Sequence, residues 1–380
     1  MTDLRPSPRV HGLDTLRALA IGLVVLHHYT LFVGSDDTFG WVGKIGWVGV
    51  DLFFALSGYL IGNQIFAAMR NPQGLSLGRF YGRRLLRTLP NFYAVLALYF
   101  LWPGFRGEQP LPPLWEFLTF TQNINLNPGS AFSHAWSLCI EEQFYLLLPA
   151  CALLIAALRG SLRWAWSAII FTFAAGMLVR GALWIELVDG AAHPLNNYYR
   201  YIYYSSFCRF DELVAGVALA LLKNYHANLW QRLTAHGNVA LGAGAALTAL
   251  MFHLFLAHHY GFAMTVVGYP LLATGFALLI VAALGEGALR ATRIPGAGTL
   301  ALWSYAIYLT HKQLCILLAD PLAARGFGAE SLVAIGVSMV LSVLSGWLLY
   351  RLVETPFMAL RDRYLPSNLR APAMLSAQPR

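Results

Sequence analysis

Apolar residues run along this chain in blocks of about 20 rather than alternating with polar ones. Ten such blocks stand out, at residues 13–33, 47–67, 88–105, 136–157, 164–185, 203–222, 239–257, 262–284, 298–318 and 331–350. A helix rising 1.5 Å per residue needs about 20 residues to cross a hydrocarbon core of about 30 Å. Because lipid cannot satisfy free backbone amides, the pattern predicts membrane-spanning helices. The expected fold is therefore all-α, a polytopic transmembrane bundle of about ten spans. The halves show no internal repeat, which argues against a transporter built from two related units.

Composition agrees with this reading. The chain has 380 residues, 58% hydrophobic and 12% charged, with a mean hydropathy of +0.56, whereas soluble domains carry about 25% charged residues. An ordinary soluble enzyme is excluded. The basic start MTDLRPSPRV precedes an apolar run, as in a secretory signal, but His27 and His28 interrupt that run and no small-x-small cleavage site follows. The run reads as a retained first span. Cys139, Cys151, Cys208 and Cys315 all lie in apolar stretches without CxxC spacing. They read as packing residues, and no metal site or tightly bound cofactor is expected.

The net charge of +8 could suggest nucleic-acid binding, but its distribution points elsewhere. With the N-terminus in the cytoplasm, 18 of the 26 lysines and arginines fall on the cytoplasmic side, four in outer loops and four within spans. That is the positive-inside bias of a membrane protein with both termini cytoplasmic, so no nucleic-acid partner is expected. Residues 1–366 read as one membrane domain and 367–380 as a short cytoplasmic tail. The longest outer connection, Gly104 to Ala135, carries Pro110, Pro112 and Pro113 and then LWEFLTF, which fits a re-entrant or surface-lying segment covering a site.

Ionisable residues inside spans are costly and mark function when they face the bundle interior. Arg17 and His28 in the first span are eleven residues apart, which places them on one face and roughly 16 Å apart along the axis. They can line one channel but cannot act on one atom. In HAWSLCIEEQFYLLLP, Ser137, Glu141 and Tyr145 recur every four residues and share a stripe. Glu142 fits a simple complement to the helix dipole.

RFYGRRLLRTLP puts Arg79, Arg83 and Arg87 on one stripe with Arg84 beside them, and Pro90 in the first turn of the third span. Such a cluster fits either anchoring to anionic lipid or capture of a ligand with several phosphates, whose oxygens match guanidinium forks. Further intrusions are Asp51, the group Arg209, Asp211 and Glu212, and His311 with Lys312. Arg209 with Asp211 or Glu212 reads as a charge-compensated pair. By topology His28, Asp51, Glu141, Arg209 and His311 fall in the outer half of the membrane, opposite the arginine cluster.

In this ordered set the chain resembles the acyltransferase-3 family of integral membrane O-acyltransferases, from Leu13 to Pro356. The resemblance rests on LDTLRALA with Arg17 and His28, GVDLFFALSGYL, Arg83, Arg84, Arg87 and Pro90, WSLCIEEQFY, RFDELVAGVALA and SYAIYLTH. It implies a multi-pass enzyme of the bacterial inner membrane that transfers acyl groups other than aminoacyl groups. Acyl-CoA would be the co-substrate, and the acceptor a hydroxyl of a glycan or glycosylated small molecule. Many envelope-modifying members carry a further esterase-like domain; this sequence reads as the standalone form.

On this resemblance His28 and Glu141 are the catalytic candidates, with His28 as base oriented by Glu141 or the two roles reversed, and with direct transfer and an acyl-enzyme both open. Arg17, Arg79, Arg83, Arg84 and Arg87 would bind acyl-CoA. Asp14, Asp51, Ser57, Ser137, Tyr145, Arg209, Asp211 and His311 would support the site or hold the acceptor. The competing reading is a transporter or flippase for the acyl group or an envelope precursor, with the same buried charges lining a permeation path.

Overall fold

The computed structural model describes residues 10–368; the expected tail at 367–380 lies almost wholly outside them. The described residues form helices and connections without a strand. The principal helices are α1 (His11–Phe32), α2 (Val48–Arg70), α3 (Leu77–Leu101), α4 (Trp136–Ala157), α5 (Leu162–Leu183), α6 (Asp211–Tyr225), α7 (Gly237–His258), α8 (Tyr269–Leu284), α9 (Ala297–Ala323), α10 (Leu332–Leu349) and α11 (Thr355–Tyr364). π-helical turns at Trp184–Val188, Met264–Gly268 and Tyr350–Glu354 extend α5, lead into α8 and join α10 to α11.

Seven helical runs among the described residues are long and apolar enough to cross a membrane, against the ten expected. The three others each have a physical reason. Block 88–105 lies in α3, whose first half carries four arginines. Block 203–222 breaks into short turns followed by α6, whose 15 residues span only about 22 Å. Block 298–318 lies in α9, 27 residues long but made polar by His311, Lys312, Gln313 and Asp320. Pro90 also sits differently from expectation, in the interior of α3 rather than its first turn. The turn before it receives an outside donor, the Tyr305 hydroxyl, which bonds the Thr88 carbonyl at 2.9 Å.

The centre of the bundle is α1, packed against α2, α8 and α9, with α2 in turn on α6 and α9 on α10. α4 and α5 turn Leu147, Leu154, Phe171 and Leu178 outward, which costs nothing where lipid replaces water. The α2–α6 crossing is the closest in the centre. A Cβ on Gly58 would collide with the Leu213 carbonyl, and one on Gly216 with the Ala55 carbonyl. Small residues at this contact let two backbones touch. Gly58→Ala is expected to force the helices apart at a cost of about 1–3 kcal/mol, read as a lower melting temperature in detergent; an unchanged value would show that the crossing can relax.

The long connection does both: Leu114, Trp115 and Leu118 stay exposed at its surface, as expected, while its second half folds into the bundle. Phe117 and Phe132 are fully buried, and Phe132 stacks with Phe92 and Tyr99 at ring distances of 5.5 and 4.7 Å. Asn123 donates to the Tyr204 carbonyl at 2.9 Å and to the Ser206 hydroxyl at 2.8 Å. Phe132 is left-handed, at φ +55°, a conformation costing a bulky residue about 1–3 kcal/mol and held here by ring packing. That turn delivers Ser133 and His134 to the bundle interior.

Candidate active site

Two cavities lie along α1. The larger, about 200 Å³, opens among α1, α2, α3, α4 and α9, and its lining includes Arg17, Arg84 and Arg87. The predicted α4 stripe, Ser137, Glu141 and Tyr145, lines it too. Glu141 accepts hydrogen bonds from Ser57 Oγ at 2.9 Å and from Tyr145 Oη at 3.0 Å. Arg84 lies 3.7 Å above the Tyr145 ring and 3.8 Å from Glu142 Oε1. Arg17 and Arg87 make no direct salt bridge among the described residues, so both guanidinium groups face the cavity they share with Glu141 and Glu142.

The arginine stripe divides by depth. Arg83 bonds Asp362 at 3.0 Å and the Leu365 carbonyl, tying α3 to α11. Arg79 lies in the first turn, its backbone N–H on the Ser76 hydroxyl at 3.5 Å, and does not line the cavity. Eight residues of helix cover about 12 Å, so one stripe passes from the surface at Arg79 to the cavity at Arg87.

The second cavity, about 50 Å³, is lined by His28, His134, Lys312, Phe32, Trp47 and Tyr203, among others. His28 Nδ1 lies 2.7 Å from His311 Nε2, and His311 Nδ1 lies 2.9 Å from the Ile307 carbonyl. A carbonyl only accepts, so His311 Nδ1 carries a proton and its Nε2 holds the lone pair. His28 must then donate from Nδ1, which leaves Nε2 as its lone-pair nitrogen. The pair is a relay that fixes the tautomer of His28. His134 sits 5.9 Å from His28 and 5.8 Å from His311, ring to ring.

Glu141 does not meet His28. Its partners are Ser57 and Tyr145 in the first cavity, while the imidazole of His28 is oriented by His311 in the second. At the level of His28, α1 faces α9, and α4 reaches this layer only through its first turn. Val50 and Tyr308 line both cavities. Tyr308 Oη lies 2.7 Å from Ser137 Oγ and donates to the His134 carbonyl at 2.5 Å, so this tyrosine forms the partition between them.

Asp51, Arg209 and Asp211 line neither cavity. Arg209 pairs with Asp51, and Glu212 lies 3.9 Å away, all three fully buried. The guanidinium is enclosed by Tyr269, Tyr203 and Trp136 at 4.4, 4.7 and 5.3 Å. Asp211 instead takes Arg180, through two bonds of 3.0 and 2.6 Å. The pairing of Arg209 with Asp211 is thus corrected: the helical start at Asp211 swings its carboxylate toward α5. Asp14 stands in the first turn of α1, three residues before Arg17.

The sequence reading did not single out His134, Tyr308 or Arg180 for the site. His134 lies just ahead of the apolar block that begins at 136, and only the inward fold of the long connection brings it to His28. Lys312 was visible as a charge within an apolar block, beside His311.

The family described as an acyltransferase domain matches residues 10–351. A peptidoglycan O-acetyltransferase, OatA of Listeria monocytogenes, is 27% identical over 375 residues, covering 91% of this chain and 55% of the relative. An O-acetyltransferase OatA of Staphylococcus aureus is 30% identical over 160 residues, 38% of this chain and 25% of the relative. The chain thus spans about half the length of the first relative and a quarter of the second. No solved structure matches it. The match over most of its length shows that the chain belongs to the acyltransferase-3 family.

Proposed function

We propose that this membrane protein transfers an acyl group from acyl-CoA to a hydroxyl of a saccharide, in the bacterial inner membrane. The observation that carries the reading is the His28–His311 relay, which leaves His28 Nε2 unprotonated in a chamber adjoining a cationic cavity. A base with a fixed tautomer is suited to take the proton of an attacking hydroxyl. Arg17, Arg84 and Arg87 are suited to the phosphates of CoA, and the pantetheine arm would pass Val50 and Tyr308 to bring its thioester to His28. The names of the relatives, O-acetyltransferases and in one case a peptidoglycan O-acetyltransferase, support acetyl as the acyl group and a glycan as acceptor.

In this reading Glu141 is a positioning residue. Hydrogen-bonded by Ser57 and Tyr145, it sets the shape and charge of the donor cavity. Purified protein in nanodiscs, supplied with labelled acetyl-CoA and N-acetylglucosamine oligosaccharides, should form an acyl ester; a transporter would form none. In the same assay Arg17→Gln with Arg87→Gln is expected to raise the KM for acetyl-CoA by about tenfold or more, since each charge-assisted bond contributes about 1.5–3 kcal/mol, with a smaller effect on kcat. An unchanged KM would return these arginines to membrane anchoring.

A further inference from the structure

One basic side chain in the His28 chamber has no carboxylate partner among the described residues. Lys312 is 1% exposed. Its ammonium donates to Ser133 Oγ at 2.9 Å and lies 4.1 Å from the centre of the Phe32 ring. Among the described residues no carboxylate pairs with it. Burying an ammonium costs several kcal/mol unless an anion offsets it. The hydroxyl and the ring face occupy two of its three N–H bonds, which leaves one for the chamber that it lines with His28 and His134. The imidazoles around it are not anions. A cation so placed lacks a negative partner that arrives with the ligand.

We propose that Lys312 is a catalytic residue, the cation that stabilises the oxyanion formed when the acceptor hydroxyl adds to the acyl carbonyl beside His28. The inference rests on the acyltransferase reading above. The acceptor oxygen bonds to the thioester carbonyl carbon while its proton passes to His28 Nε2. The carbonyl π electrons move to oxygen, and that oxyanion accepts the remaining Lys312 N–H. Collapse restores the C=O bond and breaks the C–S bond; the departing thiolate takes the proton from His28, which returns to its starting form. Lys312 stays protonated throughout, and the ester and free thiol account for every atom. A fixed charge in a chamber this closed acts far more strongly than in water, because little solvent screens it.

The test uses the full chain in nanodiscs with acetyl-CoA and N-acetylglucosamine oligosaccharides. Lys312→Met keeps an unbranched side chain one heavy atom shorter and removes the charge. It should lower kcat by about 10²–10³-fold, the usual effect of losing one oxyanion donor, with the KM for acetyl-CoA unchanged. Its melting temperature should equal or exceed the wild-type value, because methionine removes an uncompensated buried charge. Lys312→Arg should recover part of kcat. A Lys312→Met protein with wild-type kcat overturns the proposal. So does one whose activity falls together with its melting temperature, since that would mark Lys312 as a structural residue. Failure of the acyltransferase reading itself is seen separately, as a wild-type protein that forms no ester.

Discussion

His28→Ala is expected to abolish ester formation while leaving a folded protein. The imidazole is half-buried, and its bond is to His311, itself held by the Ile307 carbonyl, so no other element hangs on it. General-base catalysis contributes about 10²–10⁴-fold, and the loss in kcat should lie in or above that range with acetyl-CoA binding retained. His27→Ala is the control. Its Nδ1 bonds the Gly43 carbonyl at 2.8 Å, a packing contact between α1 and the connection to α2, so its effect should fall on stability. His311→Phe should resemble His28→Ala, because without its acceptor nitrogen the tautomer of His28 is no longer fixed. An active His28→Ala protein would remove the base from the mechanism and the relay with it.

The second large effect concerns stability. Arg209→Met is expected to cost about 3–5 kcal/mol, because it strands the Asp51 and Glu212 carboxylates in a fully buried setting without a cation. The melting temperature in detergent should fall sharply, with little monodisperse protein recovered. Adding Asp51→Asn to Arg209→Met should restore part of the loss, since the penalty comes from the uncompensated charge and not from the missing contact. Strict additivity of the two substitutions would show that the pair is not coupled. These residues belong to the same crossing as Gly58 and Gly216, so charge pairing and close backbone approach fix one junction between α2 and α6.

How much of this was legible in the sequence follows from the range of each interaction. The α4 stripe of Ser137, Glu141 and Tyr145 is a matter of helical pitch alone, and all three do line one cavity. Arg17 and His28 share a face of α1 for the same reason, and they line the two cavities found along it. The arginine stripe was equally regular, yet its members part company, because α11 comes close enough to claim Arg83 through Asp362. Arg209 was read against its neighbours in sequence, Asp211 and Glu212, and its main partner proved to be Asp51, 158 positions away.

By itself the sequence determined the membrane class, the helical fold and the faces on which ionisable residues stand. Each depends on local composition and on the 3.6-residue turn of the helix. Only the tertiary structure decided which faces meet. It sent Glu141 to Ser57 and His28 to His311, folded Ser133 and His134 inward behind a left-handed Phe132, and left Lys312 without a carboxylate partner among the described residues. In lipid every apolar surface is equally solvated, so helix partners are chosen by shape, by small residues at crossings and by the pairing of buried polar groups. Those choices join residues hundreds of positions apart, and no periodicity within one helix encodes them.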